Sequence, residues 1–122
     1  MIQIDWKSGV PAYDQIVSGI IKLKALGVLK PNDKLPSVRN FALKLGVNPN
    51  TVQRSYLILE AKGIICSIAG KGSFISDNSV ADNEIKKEAL KSFKKAIENC
   101  KDFGLSEEEL LLAISEIYKK ED

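Results

Sequence analysis

Residues 48–56 read NPNTVQRSY, and this stretch decides the fold. Asn48 is a residue type that caps helix N-termini, and Pro49 suits the first helical position because its missing N–H needs no partner there. Val52 and Tyr56 follow at helical spacing and predict one buried face. The stretch therefore predicts a short helix with a sharply defined start and an exposed polar side.

Two further helices precede this one. The first begins at Pro11, runs for about four turns and ends before Gly27. The second is capped by Ser37, runs to about Leu45 and stops at Gly46, which is free to take a left-handed conformation. The second and third helices are thus predicted to be joined by a tight turn.

A hairpin and a helical tail follow. Ile64–Ile68 and Ser73–Ser76 read as two strands separated by a glycine-containing loop. Residues 77–82 are small and polar and predict a linker. Two amphipathic helices come next, and the second opens with a capping box formed by Ser106 and Glu109.

Together these elements predict a mainly α fold with a small β-hairpin. A winged helix-turn-helix domain is expected over residues 1–76, followed by a linker and a two-helix dimerisation tail over residues 77–122. The predicted core consists of apolar side chains on the inner faces of the first domain: Val17, Ile20, Phe41, Val52, Tyr56, Leu59, Ile65 and Phe74.

The composition excludes several function classes. The chain has no histidine, which rules out histidine-based acid–base chemistry. Cys66 and Cys100 lack the spacing of a metal site, so we expect buried free thiols, with a redox switch as the alternative. No metal, cofactor or enzymatic activity is predicted.

No apolar run approaches the roughly 20 residues that a membrane-spanning helix needs. The N-terminal residues do not have the pattern of a signal peptide. A cytoplasmic protein without a membrane partner is therefore expected.

Charge is distributed unevenly along the chain. Residues 1–76 contain ten Lys/Arg and four Asp/Glu, a net charge of +6, whereas residues 77–122 contain eight Lys and twelve Asp/Glu, a net charge of −4. A basic first part indicates contact with a polyanion, which the acidic tail would not favour.

The outward side of the third helix carries Asn50, Gln53 and Arg54. Amides of Asn and Gln can pair with adenine, and an Arg guanidinium can pair with guanine in the major groove of DNA. Leu57 lies on the same side, where an intramolecular contact, a dimer contact or DNA would each explain it. Taken singly, each polar residue could be a helix cap or a solvated side chain, but the combination indicates DNA.

Three further residues support the same interpretation. Thr51 lies further round the helix and is expected to touch a phosphate, because the positive end of a helix attracts anions. Arg39, on the outer side of the second helix, would reach the DNA backbone or a neighbouring base. Lys71 lies between two glycines, which allow the hairpin loop to approach a groove closely.

The sequence resembles the GntR family of bacterial transcription regulators, and its Asn-Pro-Asn-Thr-Val start and short tail are most similar to the YtrA-type subfamily. Asn32 stands where the family pattern often has Gly, and we expect no loss because Asn tolerates left-handed geometry. The matching stretches cover about the first two-thirds of the chain: Pro11–Ile16, Leu29–Arg39, Leu45–Val52, Leu59–Gly63 and Gly70–Phe74.

The resemblance implies a dimeric repressor that binds a two-fold symmetric double-stranded DNA operator. About 45 tail residues are too few for the large effector-binding domain of most relatives. The DNA contacts that the resemblance implies are Arg39, Asn48, Asn50, Thr51, Gln53, Arg54, Lys71 and Gly72.

The tail is predicted to form the homodimer, because two long apolar stripes on a monomer would expose a large patch. The predicted interface residues are Ile85, Phe93, Ile97, Leu110, Leu111, Ile114 and Ile117. In the alternative, both helices fold back onto their own domain.

A winged-helix module that binds proteins and not DNA is the second function considered.

Overall fold

The structure is a computed structural model that describes residues 2–120. Contacts divide the chain into two compact units, Met1–Asp82 and Asn83–Asp122. Within residues 2–120, five helices and one two-stranded antiparallel hairpin confirm the predicted mainly α fold with a helical tail. In chain order the elements are α1 (Ala12–Ala25), α2 (Val38–Leu45), α3 (Pro49–Ala61), β1 (Ile65–Ile68), β2 (Gly72–Ile75), α4 (Ser79–Asp102) and α5 (Glu107–Lys119).

The predicted helix boundaries in the helix-turn-helix are confirmed by their caps. The Ser37 hydroxyl accepts a hydrogen bond from the Asn40 N–H at 3.2 Å, and the Asn48 side chain accepts one from the Asn50 N–H at 2.8 Å. Gly46 ends α2 with φ +72°, a conformation that glycine adopts without strain. Local chemistry therefore sets where α2 ends and α3 begins.

Helix α3 lies at the centre of the first unit, packed against α1, α2 and β1. Every predicted core residue is buried except Phe74, which is half-buried. The prediction was wrong at Phe74 because the hairpin register pairs Ile65 with Ile75, and directly paired residues share one face of a sheet. Ile75 is completely buried there, while Phe74 lies on the other face.

The segment before α2 extends the hairpin. The Asp33 carbonyl accepts a hydrogen bond from the Ile75 N–H at 2.8 Å, and the Leu35 N–H donates to the Ser73 carbonyl at 2.9 Å. Asn32 precedes this pairing with φ +74°, which confirms the left-handed geometry expected of it. The wing, which is the hairpin of β1 and β2, thus gains an isolated β-bridge between Lys34 and Phe74 that the sequence pattern did not predict.

The N-terminal arm is held against α1 by one side chain. The Gln15 amide donates to the carbonyls of Asp5 at 3.0 Å and Val10 at 2.8 Å, and its oxygen accepts from the Asp5 N–H at 2.8 Å. Residues 5–10 are therefore an ordered part of the first unit.

Helix α4 starts earlier than expected. Asn78 caps it by accepting a hydrogen bond from the Ala81 N–H at 3.1 Å, so the predicted linker over residues 77–82 is wrong from Ser79 onward. Ala81 is buried, and the Asp82 carboxylate lies 2.7 Å from the Lys24 ammonium. The first turn of α4 consequently belongs to the first unit.

The second unit exposes its side chains. Ser106 and Glu109 form the predicted capping box at the start of α5. None of the described residues from Asn83 to Lys120 is buried.

Within the described part of the chain, no helix combines the length and apolarity that crossing a bilayer requires.

Both cysteines are free, but neither is buried. Cys66 is exposed on β1 and Cys100 is half-buried on α4, so the expectation of buried thiols was wrong. Cys66 is exposed because strand residues alternate in direction and Ile65 takes the inward position.

Two adjacent hydroxyls on α3 fix its position. Ser55 is fully buried, and its hydroxyl lies 3.0 Å from the Tyr13 carbonyl and 2.9 Å from the Thr51 carbonyl. The Tyr56 hydroxyl donates to the Pro36 carbonyl at 2.8 Å, and burial raises the pKa of Tyr56 far above its ordinary value. Tyr56 therefore stays protonated and remains a donor to the segment before α2.

We expect Tyr56→Phe to lower the free energy of unfolding by about 1–2 kcal/mol, because the Pro36 carbonyl loses its donor. Tyr118→Phe is the matched control, since Tyr118 is 71% exposed, and it should change stability by less than about 0.5 kcal/mol. Urea unfolding at one protein concentration measures both variants. Equal stability of the two variants would show that the Tyr56 hydrogen bond does not hold α3.

Candidate nucleic-acid interface

The start of α3 presents three of the predicted contact residues together. Asn50, Gln53 and Arg54 are all exposed, while Val52 between them is completely buried. The first turn of α3 carries no acidic residue. The positive end of the helix dipole is therefore not neutralised by a carboxylate in that turn.

The side chains of Asn48 and Thr51 are less available to a ligand than those of Asn50, Gln53 and Arg54. The Asn48 side-chain oxygen is engaged in capping α3, which leaves its NH₂ group as the available donor. The Thr51 side chain is half-buried, and its backbone carbonyl lies 2.9 Å from the Ser55 hydroxyl. Both residues sit at the helix start, where a phosphate is the anion best matched to their donors.

Arg54 is held by an aromatic ring. Its guanidinium carbon lies 3.7 Å from the centroid of the Tyr13 ring on α1, a cation–π contact. This contact uses the positive charge of the guanidinium, and among the described residues no hydrogen bond engages its N–H groups. Tyr13 was missed from the sequence because only the packing of α1 on α3 brings the two residues together.

The wing places Lys71 at its tip. Lys71 is exposed, and its N–H donates to the Ile68 carbonyl at 2.9 Å to close the turn. Gly72 has φ +115°, and a Cβ built there would lie 3.1 Å from Cε of Lys34. Glycine at 72 therefore permits both the turn and the close approach of a second lysine, Lys34, which no sequence pattern had indicated.

A groove of about 870 Å³ lies between the wing and the N-terminus of α2. It is lined by Lys34, Lys71, Ser37 and Asn40, among others, and by no acidic residue. The sequence pattern assigns Ser37 and Asn40 only to the cap and first turn of α2, and the structure places both of them in this groove. Hydroxyl, amide and ammonium groups in one groove suit a phosphate backbone.

Arg39 lies at a different place. It borders a shallow depression together with Leu43, Gly46 and Pro49, so it lies beside the start of α3 and not in the wing groove. Within residues 2–120, the ion pairs are Lys24–Asp82 and Lys87–Glu84, and they leave Arg39, Arg54 and Lys71 without a carboxylate partner. No cluster of His, Cys, Asp and Glu suited to a metal occurs among the described residues.

Comparisons with known proteins match the part of the chain that contains this candidate interface. A family model described as "Bacterial regulatory proteins, gntR family" matches residues 12–75. The HTH-type transcriptional repressor YtrA of Bacillus subtilis is 48% identical over 79 residues, which cover 65% of this chain and 61% of YtrA. The uncharacterized HTH-type transcriptional regulator YhcF of the same organism is 39% identical over 113 residues, which cover 89% of this chain and 91% of YhcF.

One similar solved structure is described as a transcriptional antiterminator from Listeria monocytogenes EGD-e. It has a TM-score of 0.81 at 34% identity, and the match covers 97% of this chain and 90% of that chain. The similarity to YhcF and to this structure therefore extends through the helical tail, whereas the match to YtrA covers less than two thirds of YtrA.

The stack on Tyr13 can be tested without DNA. Ring currents of Tyr13 should shift the Arg54 Nε–H resonance in NMR spectra, and Tyr13→Phe should preserve that shift because the ring remains. Tyr13→Leu should move the resonance toward that of a solvated arginine, whereas Tyr118→Leu, at an exposed position, should leave it in place. An unchanged Arg54 resonance in Tyr13→Leu would contradict the contact.

Proposed function

The chain belongs to the GntR family, and from this premise we propose that it is a homodimeric repressor that binds a two-fold symmetric operator through the start of α3. As a member of this family, the chain is a DNA-binding transcription regulator and not an enzyme, as predicted from the sequence. The observation that carries the proposal is the exposed start of α3. Asn50, Gln53 and Arg54 are all exposed there, and the first turn of the helix contains no acidic residue.

In the proposed complex, α3 lies in the major groove of DNA. Asn50 and Gln53 offer amides to base edges, with adenine as the partner of best geometry. Arg54 offers the N–H groups of its guanidinium to guanine, and Tyr13 restricts its orientation before DNA arrives. A side chain that is already oriented loses less conformational entropy on binding, which favours sequence-specific recognition.

Phosphate contacts fix the register of the protein on the duplex. Asn48 and Thr51 at the α3 start and Arg39 beside it are proposed to hold one strand. Lys71 and Gly72 are proposed to bring the wing against the neighbouring backbone or groove, since glycine allows close approach. These contacts supply affinity that depends on salt and not on sequence.

The tail is proposed to form the dimer. Phe93 is 43% exposed, Leu111 55% and Ile117 64%, and apolar side chains exposed on this scale mark an interaction surface. Pairing two copies about a two-fold axis would bury these side chains and set two α3 helices about 34 Å apart, one turn of DNA. The proposed interface residues are Ile85, Phe93, Ile97, Leu110, Leu111, Ile114 and Ile117.

Repression and a cytoplasmic location complete the proposal. The similarity to YtrA, which is named a transcriptional repressor, supports repression. A protein that binds the bacterial chromosome works in the cytoplasm, where the chromosome lies.

The DNA contacts predict distinct effects of two substitutions. Arg54→Ala should weaken operator binding by about 1–3 kcal/mol and relax sequence preference, because a base contact is lost. Lys71→Ala should weaken binding to every sequence and reduce the slope of log affinity against log salt by about one unit. Fluorescence anisotropy at several salt concentrations measures both effects.

Lys62→Ala is the control for these variants, because Lys62 is exposed at the other end of α3. It should bind like the parent. If Arg54→Ala and Lys71→Ala also bind like the parent, the α3 start and the wing do not contact DNA. Binding to a partner that does not weaken as salt rises would favour a protein-interaction module.

If the tail forms the dimer, a charged residue placed in the proposed interface should give a monomer. Phe93→Glu should give a monomer in light scattering at tens of micromolar, because a carboxylate would be buried in the interface. Ser92→Glu, at an exposed neighbouring position, should remain a dimer. A monomeric parent protein at this concentration would rule out the proposed assembly.

Truncation tests whether the dimer contributes to operator affinity. The cut should follow Asp82 and not Ser76, because the first turn of α4 packs within the first unit. The fragment should stay folded, become monomeric and lose most operator affinity, since the second half-site no longer contributes. Undiminished operator binding by a folded monomeric fragment would show that one half-site is sufficient.

A further inference from the structure

A cavity of about 210 Å³ lies between α1, α2 and the segment that joins them. Ile20, Leu35 and Phe41, all buried, form its inner wall. Lys34 and Lys44 also line it, and both are exposed residues, so their charged ends lie toward solvent. The remaining lining residues are apolar, so among residues 2–120 the two lysines are the only charged groups that line this cavity.

The chemistry of this lining selects one kind of ligand. Neither lysine forms an ion pair with a carboxylate among residues 2–120, and no acidic residue lines the cavity. An apolar interior lined at its edge by two lysine side chains suits an apolar body that ends in one carboxylate, which an ammonium reaches when its flexible side chain turns toward the cavity. Among residues 2–120, no carboxylate in the cavity lining neutralises these two lysines.

The size of the cavity limits the ligand. An apolar cavity of about 150 Å³ accepts benzene, and pockets for drug-sized ligands start near about 300 Å³. A volume of about 210 Å³ therefore fits an aromatic ring or a short alkyl chain with its carboxylate. Nucleotides and sugar phosphates are too large and too polar for it.

The wall of the cavity is bonded to both DNA-facing elements. The Leu35 N–H donates to Ser73 in the wing at 2.9 Å, and the Pro36 carbonyl accepts from Tyr56 on α3 at 2.8 Å. Lys34 passes close to Gly72, where a built Cβ would lie 3.1 Å from its Cε. The cavity wall is thus in direct contact with the wing and with α3.

We propose that this cavity is an effector site that binds a small apolar monocarboxylate beside Lys34 and Lys44 and so lowers the affinity for the operator. The carboxylate draws the Lys34 ammonium toward the cavity and neutralises a positive charge that borders the wing groove. Operator and ligand then each weaken the binding of the other, by the same factor. The regulatory part of this inference rests on the proposed operator binding, whereas the ligand site does not.

Binding is tested first on the full-length protein without DNA. Benzoate and hexanoate are titrated by calorimetry, with benzyl alcohol and hexanol as neutral analogues. At least one acid should bind saturably, and its alcohol should bind about tenfold more weakly, as expected for loss of a charged hydrogen bond. The absence of saturable binding by both acids at millimolar concentration overturns the proposal.

Variants locate the site. The double variant Lys34→Gln/Lys44→Gln should lose about tenfold in acid affinity and no longer distinguish acid from alcohol. Lys62→Gln removes an exposed lysine that does not line the cavity, and it should bind the acid like the parent. Because both substituted lysines are exposed, the fold should persist, and circular dichroism checks this. Unchanged acid binding by the folded double variant overturns the assignment to this cavity.

Operator binding is then measured with and without saturating acid, at ionic strength matched with sodium chloride. The operator affinity of the parent should fall roughly tenfold, and that of the double variant should not respond to the acid. Operator binding that saturating acid leaves unchanged overturns the regulatory part. A protein that binds the acid but no DNA under either condition overturns the proposed function and leaves the cavity assignment supported.

Discussion

The structure depends on two neighbouring hydroxyls of α3. Ser55 reaches back to α1 through the Tyr13 carbonyl, and Tyr56 reaches forward to the segment before α2 through the Pro36 carbonyl. Since successive helical residues are about 100° apart, adjacent positions can hold two different sides of the same helix. With Val52 and Leu59 completely buried on the inner face, α3 has one orientation in the first unit.

That orientation determines which side chains of α3 remain exposed to solvent. Asn50, Gln53 and Arg54 are exposed because the buried residues of α3 occupy the opposite side. The Tyr13 residue whose carbonyl accepts from Ser55 also supports Arg54 with its ring. The Pro36 carbonyl accepts the hydrogen bond of the Tyr56 hydroxyl, and the residues just before Pro36 pair with β2. The contacts that hold α3 in the core therefore also position the proposed DNA contacts on both sides of it.

Much of this arrangement could be predicted from local sequence. Ser37, Asn48 and Ser106 act as caps through hydrogen bonds that span two or three residues, and such contacts are readable from spacing. The stack of Arg54 on Tyr13 and the pairing of residues 33–35 with β2 join positions far apart in the chain, where no local pattern signals them. Phe74 was misassigned because alternation identifies two faces of a strand without saying which one is buried. The early start of α4 was missed because polar residues at 77–82 resemble a linker as well as the first turn of a helix.

The central claim is that two α3 helices of a dimer read a two-fold symmetric operator, and selection from random DNA tests it most directly. The purified full-length protein is incubated with a random duplex library, and bound DNA is sequenced over successive rounds. We expect an inverted repeat whose half-sites are centred about 10 base pairs apart, or a multiple of that spacing. Enrichment of a single asymmetric half-site, or of no sequence at all, would contradict the claim.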